Sequence, residues 1–235
     1  MFESIRKALS LGIPPEETHR PATAQEVARW AEAQHAVLEP DDVPGGFALS
    51  GQAGGVPWRV ECGTPTRSYI EGLELRGGAD ARAWPDAAVM VLGRALQEHL
   101  EGETYAQGMC PLPTDAEGQL PEEVRWLTSL DEVAWDGLPP SFVRHFAVLS
   151  GQMDLAQRWL QPALVSRLLT GLPVTSGADE AGALPAPQPL VLMLARGNVY
   201  LRMPHDAQSL QSLTHAVDIL TTAARCASKG LSKSA

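Results

Sequence analysis

Residues 47–76 read FALSGQAGGVPWRVECGTPTRSYIEGLELR, and this stretch decides the fold class. Phe47–Ser50 and Val56–Cys62 are short β-forming runs on either side of Gly51-Gln-Ala-Gly-Gly55, whose glycines supply the positive φ of a hairpin loop. After Gly63-Thr-Pro65, Ser68–Arg76 reads as a third strand, and so short a connection favours an antiparallel meander over a crossover. Pro57 has no amide hydrogen to give a ladder, which puts it at an edge or a bulge.

Alternation assigns faces within these strands. Trp58, Val60 and Cys62 share one face of the second strand, leaving Arg59 and Glu61 on the other. In the third strand Ile70, Glu74 and Arg76 share one face, and Tyr69, Glu71, Leu73 and Leu75 the opposite one. Glu71 is therefore the odd polar group on an apolar face. It is the candidate catalytic acid: burial would raise its pKa and let it move a proton or bind a cation. The plainer alternative is that it meets an arginine or reaches the rim. Arg59, Glu61, Glu74 and Arg76 form a cross-strand charge ladder on a solvated face.

Toward the C-terminus, Leu190–Leu194, the turn Ala195–Asn198 and Val199–Met203 form a second hairpin. If it joins the same sheet, Tyr200 and Arg202 extend the charged face into a mixed surface suited to a peptide or an acidic partner. Asp206 caps a last helix on which Leu210, Leu213, Val217, Leu220 and Ala224 recur three and four apart. Toward the N-terminus, Thr23-Ala-Gln-Glu26 is a capping box for a helix reaching about His35.

Trp84-Pro85-Asp86 predicts a helix start, with Val89, Leu92, Leu96 and Leu100 as its buried stripe. Residues 107–188 read as a mostly helical insertion: a short helix at Pro121–Leu127, an ambiguous run at Ser141–Ser150 that leans to helix, a capped helix at Asp154, and a restart at Pro162. Residues 171–189 read as a flexible loop and 228–235 as a disordered tail. The expectation is one enlarged α+β domain over 1–235, an antiparallel sheet of a three-strand meander plus a C-terminal hairpin, packed with several helices.

A formal charge of −10 repels phosphate backbones and anionic lipid, and basic residues are scattered singly, so nucleic-acid binding is disfavoured. Glu3, Arg6 and Lys7 interrupt the apolar run a signal peptide needs, and no segment has the length of a membrane span, so a cytoplasmic protein without stable membrane insertion is expected. Cys62, Cys110 and Cys226 are odd in number and far apart, which reads as reduced thiols, Cys62 in the core and Cys226 accessible. The histidines show no HxxxH or HExxH spacing, and no P-loop, GxGxxG or GxSxG motif occurs, so neither metal nor cofactor is expected.

The order helix, three-strand meander, helix, helical stretch, two-strand hairpin, helix, over about Thr23–Leu100 and Pro189–Cys226, resembles the helix–sheet–helix arrangement of type III secretion chaperones and related small acidic bacterial adaptors. The resemblance is one of element order and acidity. It implies a non-enzymatic protein-binding or adaptor protein, engaging a protein partner or self-associating as a homodimer through the last helix or a sheet edge. The alternative is a small-ligand-binding protein or enzyme using Glu71 and nearby arginines.

Overall fold

A computed structural model describes residues 24–41, 43–108, 121–170, 189–207 and 209–232. In chain order the elements are α1 (Ala24–Ala33), β1 (Val37–Pro40), β2 (Phe47–Ala53), β3 (Val56–Gly63), β4 (Leu73–Ala79), β5 (Val89–Gly93) and α2 (Arg94–Gly108). There follow α3 (Glu122–Ser129), β6 (Asp131–Glu132), α4 (Pro140–His145), β7 (Phe146–Ser150), α5 (Met153–Trp159), α6 (Pro162–Thr170), β8 (Val191–Ala195), β9 (Asn198–His205) and α7 (Gln211–Gly230). The strands form one nine-stranded antiparallel sheet in the order β1-β2-β3-β4-β9-β8-β5-β7-β6. The α+β reading holds, and the pairing of β4 with β9 joins the meander and the C-terminal hairpin in one sheet.

The turns follow from their residues. Gly54 and Gly55, at φ +60° and +83°, make the two-residue turn between β2 and β3 in the left-handed region that glycine enters without a Cβ penalty. Gly51, expected in that loop, lies inside β2 opposite Trp58. A Cβ there would stand 2.6 Å from the Trp58 ring, so only glycine lets the indole lie across the strand. The third strand begins later than expected, at Leu73, because Gly72 turns the chain at φ +75°.

The helix expected from Trp84 is corrected. Trp84–Ala87 closes a turn, and Val89–Gly93 is a central strand paired with both β7 and β8. A central strand with both faces covered need not alternate polar and apolar residues. Val89 and Val91 enter one core while Met90 and Leu92 enter the other, so Val89 and Leu92 never shared a helical stripe. Only Leu96 and Leu100 lie on the helix, α2, where they pack into the second core.

The ambiguous run at 141–150 divides into α4, which ends at His145, and β7, in which every residue is buried. Among its described residues the 107–188 stretch is mostly helical, but it is not separate from the sheet, to which it contributes β6 and β7. The expected loop at 171–189 lies outside the described residues except for its last position.

The larger core lies between one sheet face and α1, α5, α6 and α7, and the smaller between the opposite face and α2 and α3. The α7 seam of Leu213, Val217, Leu220 and Ala224 is buried against β3, β4 and β9 of its own chain, so it is not an exposed dimer seam. The helix begins at Gln211 rather than at Asp206. It continues through Gly230, the Leu231 carbonyl accepts from Trp84 N at 2.8 Å, and Ala83 bridges Ser232. The tail expected to be disordered from Ser228 is therefore packed as far as residue 232. Among the described residues no helix is long and apolar enough to cross a membrane.

Cys62 is a core residue as expected, and burial pushes its thiol up to about 11. Cys226, expected to be accessible, is 4% exposed, with its thiol also raised by burial. It faces inward because it falls on the buried side of α7, which extends past it.

Candidate functional site

Among the described residues, the face opposite α7 is covered by α2 and α3 only toward β5, β7 and β8. On the β1–β4 and β9 half it carries the polar residues picked out by alternation. Register places Glu61, Arg76 and Arg202 in one row across β3, β4 and β9, and Arg59, Gly78 and Tyr200 in the next. Arg59 donates to Glu39 at 2.9 Å and to Glu61 at 3.1 Å. Arg76 lies 3.6 Å from Glu61, outside hydrogen-bond reach. These side chains are 33–54% exposed, so their ion pairs contribute little to stability and fix geometry instead.

Glu74, expected on the solvated ladder, is fully buried. The chain between β3 and β4 folds back over it. Thr66 donates to its Oε2 from the backbone N at 2.7 Å and from Oγ1 at 3.1 Å, and Arg202 Nη1 donates to its Oε1. Arg202 Nη1 also reaches Thr66 Oγ1 at 2.6 Å, closing a three-residue network between strands distant in sequence. A second buried acid was not anticipated. Glu123, in the first turn of α3, accepts from Arg67 Nε, from Arg67 Nη2 at 3.2 Å and from the Tyr69 hydroxyl at 2.7 Å. Burial by itself would raise the Glu123 carboxyl, but the donors from Arg67 and Tyr69 outweigh it and hold the pKa below the usual carboxylate value. Burial, then the neighbouring Glu123 charge, pushes the Tyr69 phenol up.

Glu71, the candidate acid, is exposed and precedes the strand, so the alternation that placed it on an apolar face does not apply. It borders a broad hollow of about 600 Å³ with Ser68, Tyr69 and His99, apart from the arginines. His99 is half exposed and lies 3.5 Å from Glu103.

A smaller cavity of about 170 Å³ lies where the charged rows meet α3. Arg67, Arg76, Arg202 and Tyr200 border it, Glu122 and Glu123 stand on the α3 side, and Val191, Met193 and Leu201 supply apolar wall. Arg67 spends Nε, Nη1 and Nη2 on Glu123 and the Thr66 carbonyl. Both hydrogen bonds of Arg202 leave from Nη1. The site can orient a charged group by guanidinium forks. Of the two acids beside it, Glu123 is held by donors, whereas Glu122 has only a 3.9 Å ion pair with Arg196. Among the described residues no three His, Cys, Asp or Glu side chains are grouped to hold a metal ion.

His205 and Glu123 give the fold a pH dependence of known sign. His205 packs edge-on to Phe47, its Nδ1 lies 2.8 Å from Ser212 Oγ, and burial lowers its pKa below 6.5 despite Asp206. A lowered histidine contributes stability that is complete above the unfolded value and is lost as pH falls toward the folded one. Glu123 adds a loss beginning below its ordinary 4.5 and continuing through its folded value. Unfolding free energies from urea denaturation are expected to be level from pH 8 to 7 and to fall below about pH 6.5, by up to about 1.4 kcal/mol per unit of histidine depression. His205→Asn should flatten the limb between pH 6.5 and 5. An unchanged limb in that variant would assign it elsewhere, His215 being a half-buried imidazole that burial lowers in the same sense.

Compared with protein-family models, with curated proteins and with solved structures, the chain finds no match.

Proposed function

We propose that this chain is a non-enzymatic protein-binding or adaptor protein of bacterial type that engages a polypeptide partner through the open, charged half of its sheet. One observation carries the reading: Arg59, Glu61, Arg76, Arg202 and Tyr200 stand in adjoining rows on a face where, among the described residues, the helices cover only the other half. A surface of fixed, alternating charge selects a partner by complementarity and penalises wrong ones, which suits recognition more than catalysis. Among the described residues Cys62 and Cys226 are free and buried, which accords with a reducing cytoplasm. The enzyme reading has lost its acid from the arginine cluster, since Glu71 faces solvent.

Gly78 provides the test. It lies between Arg59 and Tyr200, and a Cβ there would meet nothing within 4 Å. Gly78→Leu is expected to keep the fold, within about 0.5 kcal/mol of the parent as for other surface changes. It should abolish co-purification of the partner, read by affinity capture followed by gel filtration with light scattering. A parent protein that elutes as a bare monomer from its own cell lysate, or a partner retained equally by Gly78→Leu, would sink the proposal.

A further inference from the structure

We infer that the cavity between Arg76 and Arg202 is the anchor point of that partner and takes a single carboxylate, from an acidic side chain or a chain terminus; this rests on the protein-binding reading above. Arg76 and Arg202 are direct cross-strand partners on β4 and β9 and border the same cavity of about 170 Å³. Like charges directly opposite one another are unfavourable, and each arginine has one carboxylate beside it: Glu61 on β3 beside Arg76, and Glu74, two residues before Arg76 on β4, beside Arg202. An anion between the two forks relieves that repulsion.

Donors remain to receive it. Among the described residues the Arg76 side chain makes no hydrogen bond, its only ion pair being the 3.6 Å contact with Glu61. Arg202 keeps Nε and Nη2 after both its bonds are made from Nη1. Arg67, by contrast, is committed to Glu123. The buried Glu74–Thr66 network holds Arg202 in place before any ligand arrives, so little side-chain entropy is lost on binding. A planar carboxylate matches the fork in a bidentate way. Glu122 and Glu123 on the same cavity oppose a doubly charged phosphate, and Val191, Met193 and Leu201 offer apolar contact to the methylenes of a glutamate.

The probes are the capped peptides acetyl-Gly-Glu-Gly-amide and acetyl-Gly-Gln-Gly-amide, the free-acid peptide acetyl-Gly-Gly-Gly, succinate and inorganic phosphate, titrated into the full-length ¹⁵N-labelled protein while its arginine Nε–H signals are followed. Saturable shifts at Arg76 and Arg202 are expected with the glutamate or free-acid peptide and not with the glutamine peptide. Arg76→Gln should weaken that binding at least tenfold, and Arg76→Lys should give an intermediate loss because charge is kept and the fork is not. Equal shifts from the glutamine peptide, an unchanged titration in Arg76→Gln, tighter binding of phosphate, or binding of succinate without either acidic peptide would each overturn the assignment. The two readings fail separately. Loss of the partner in Gly78→Leu without carboxylate binding removes only this inference, whereas carboxylate binding with the partner retained in Gly78→Leu removes the protein-binding face.

Discussion

Trp159→Ala is expected to lower the unfolding free energy by about 3–5 kcal/mol, the range for deleting a buried aromatic. Trp159 is among the largest fully buried side chains, placed by α5 against α7. Its Nε1 donates to the Ala223 carbonyl at 3.0 Å, which pins the two helices at a fixed height as well as filling the space between them. The alanine variant loses both contributions. Trp159→Phe keeps most of the volume and should cost less, about 1–2 kcal/mol from the missing hydrogen bond and the residual void. Urea denaturation followed by circular dichroism separates them through the midpoint at constant slope. An alanine variant within about 1 kcal/mol of the parent would show that the indole is not part of the core.

Glu74→Leu is the second large effect, and its magnitude comes from the charge left behind. Arg202 is 21% exposed at the side chain, so removing its partner strands a mostly buried guanidinium and unsatisfies Thr66 as well. Breaking such a pair from one side costs about 3–5 kcal/mol. Replacing both partners, in Glu74→Leu with Arg202→Leu, is expected to return most of that loss, since two apolar side chains need no desolvated ion. The double-mutant cycle should thus give a coupling of about 2 kcal/mol or more, no smaller than the stability the second substitution returns. Additive losses would mean that the two side chains do not share a buried environment.

The fold was legible where residues declare local geometry. The Gly54-Gly55 turn, the second hairpin, the α5 and α6 pair broken at Pro162, and the long apolar stripe of α7 all follow from turn chemistry and period. Val89–Gly93 was not legible, because Val89, Leu92, Leu96 and Leu100 satisfy a helical period while the first two belong to a strand buried on both faces. Alternation correctly gathered Arg59, Glu61, Arg76, Tyr200 and Arg202 on one face. It failed for Glu74 and Glu71, for different reasons. Glu74 is on the expected face but is covered by the preceding loop and matched by Arg202 from far along the chain, a pairing no local pattern contains. Glu71 was assigned a face by a strand that Gly72 starts two residues later. Arg67, Tyr69 and Glu123 gave no signal, since an acid in the first turn of a helix is ordinarily solvated there.

The sheet order has a consequence for how the chain is made. β4 and β5 are consecutive in sequence, yet β9 and β8 lie between them. Until residues 191–205 leave the ribosome, the edges of β4 and β5 that β9 and β8 will fill have no partners, and two half-sheets coexist on one nascent chain. Unpaired edges of this kind are where chains join one another. The last hairpin acts as a keystone, and synthesis interrupted before it leaves a product whose failure is aggregation rather than simple loss of a terminus.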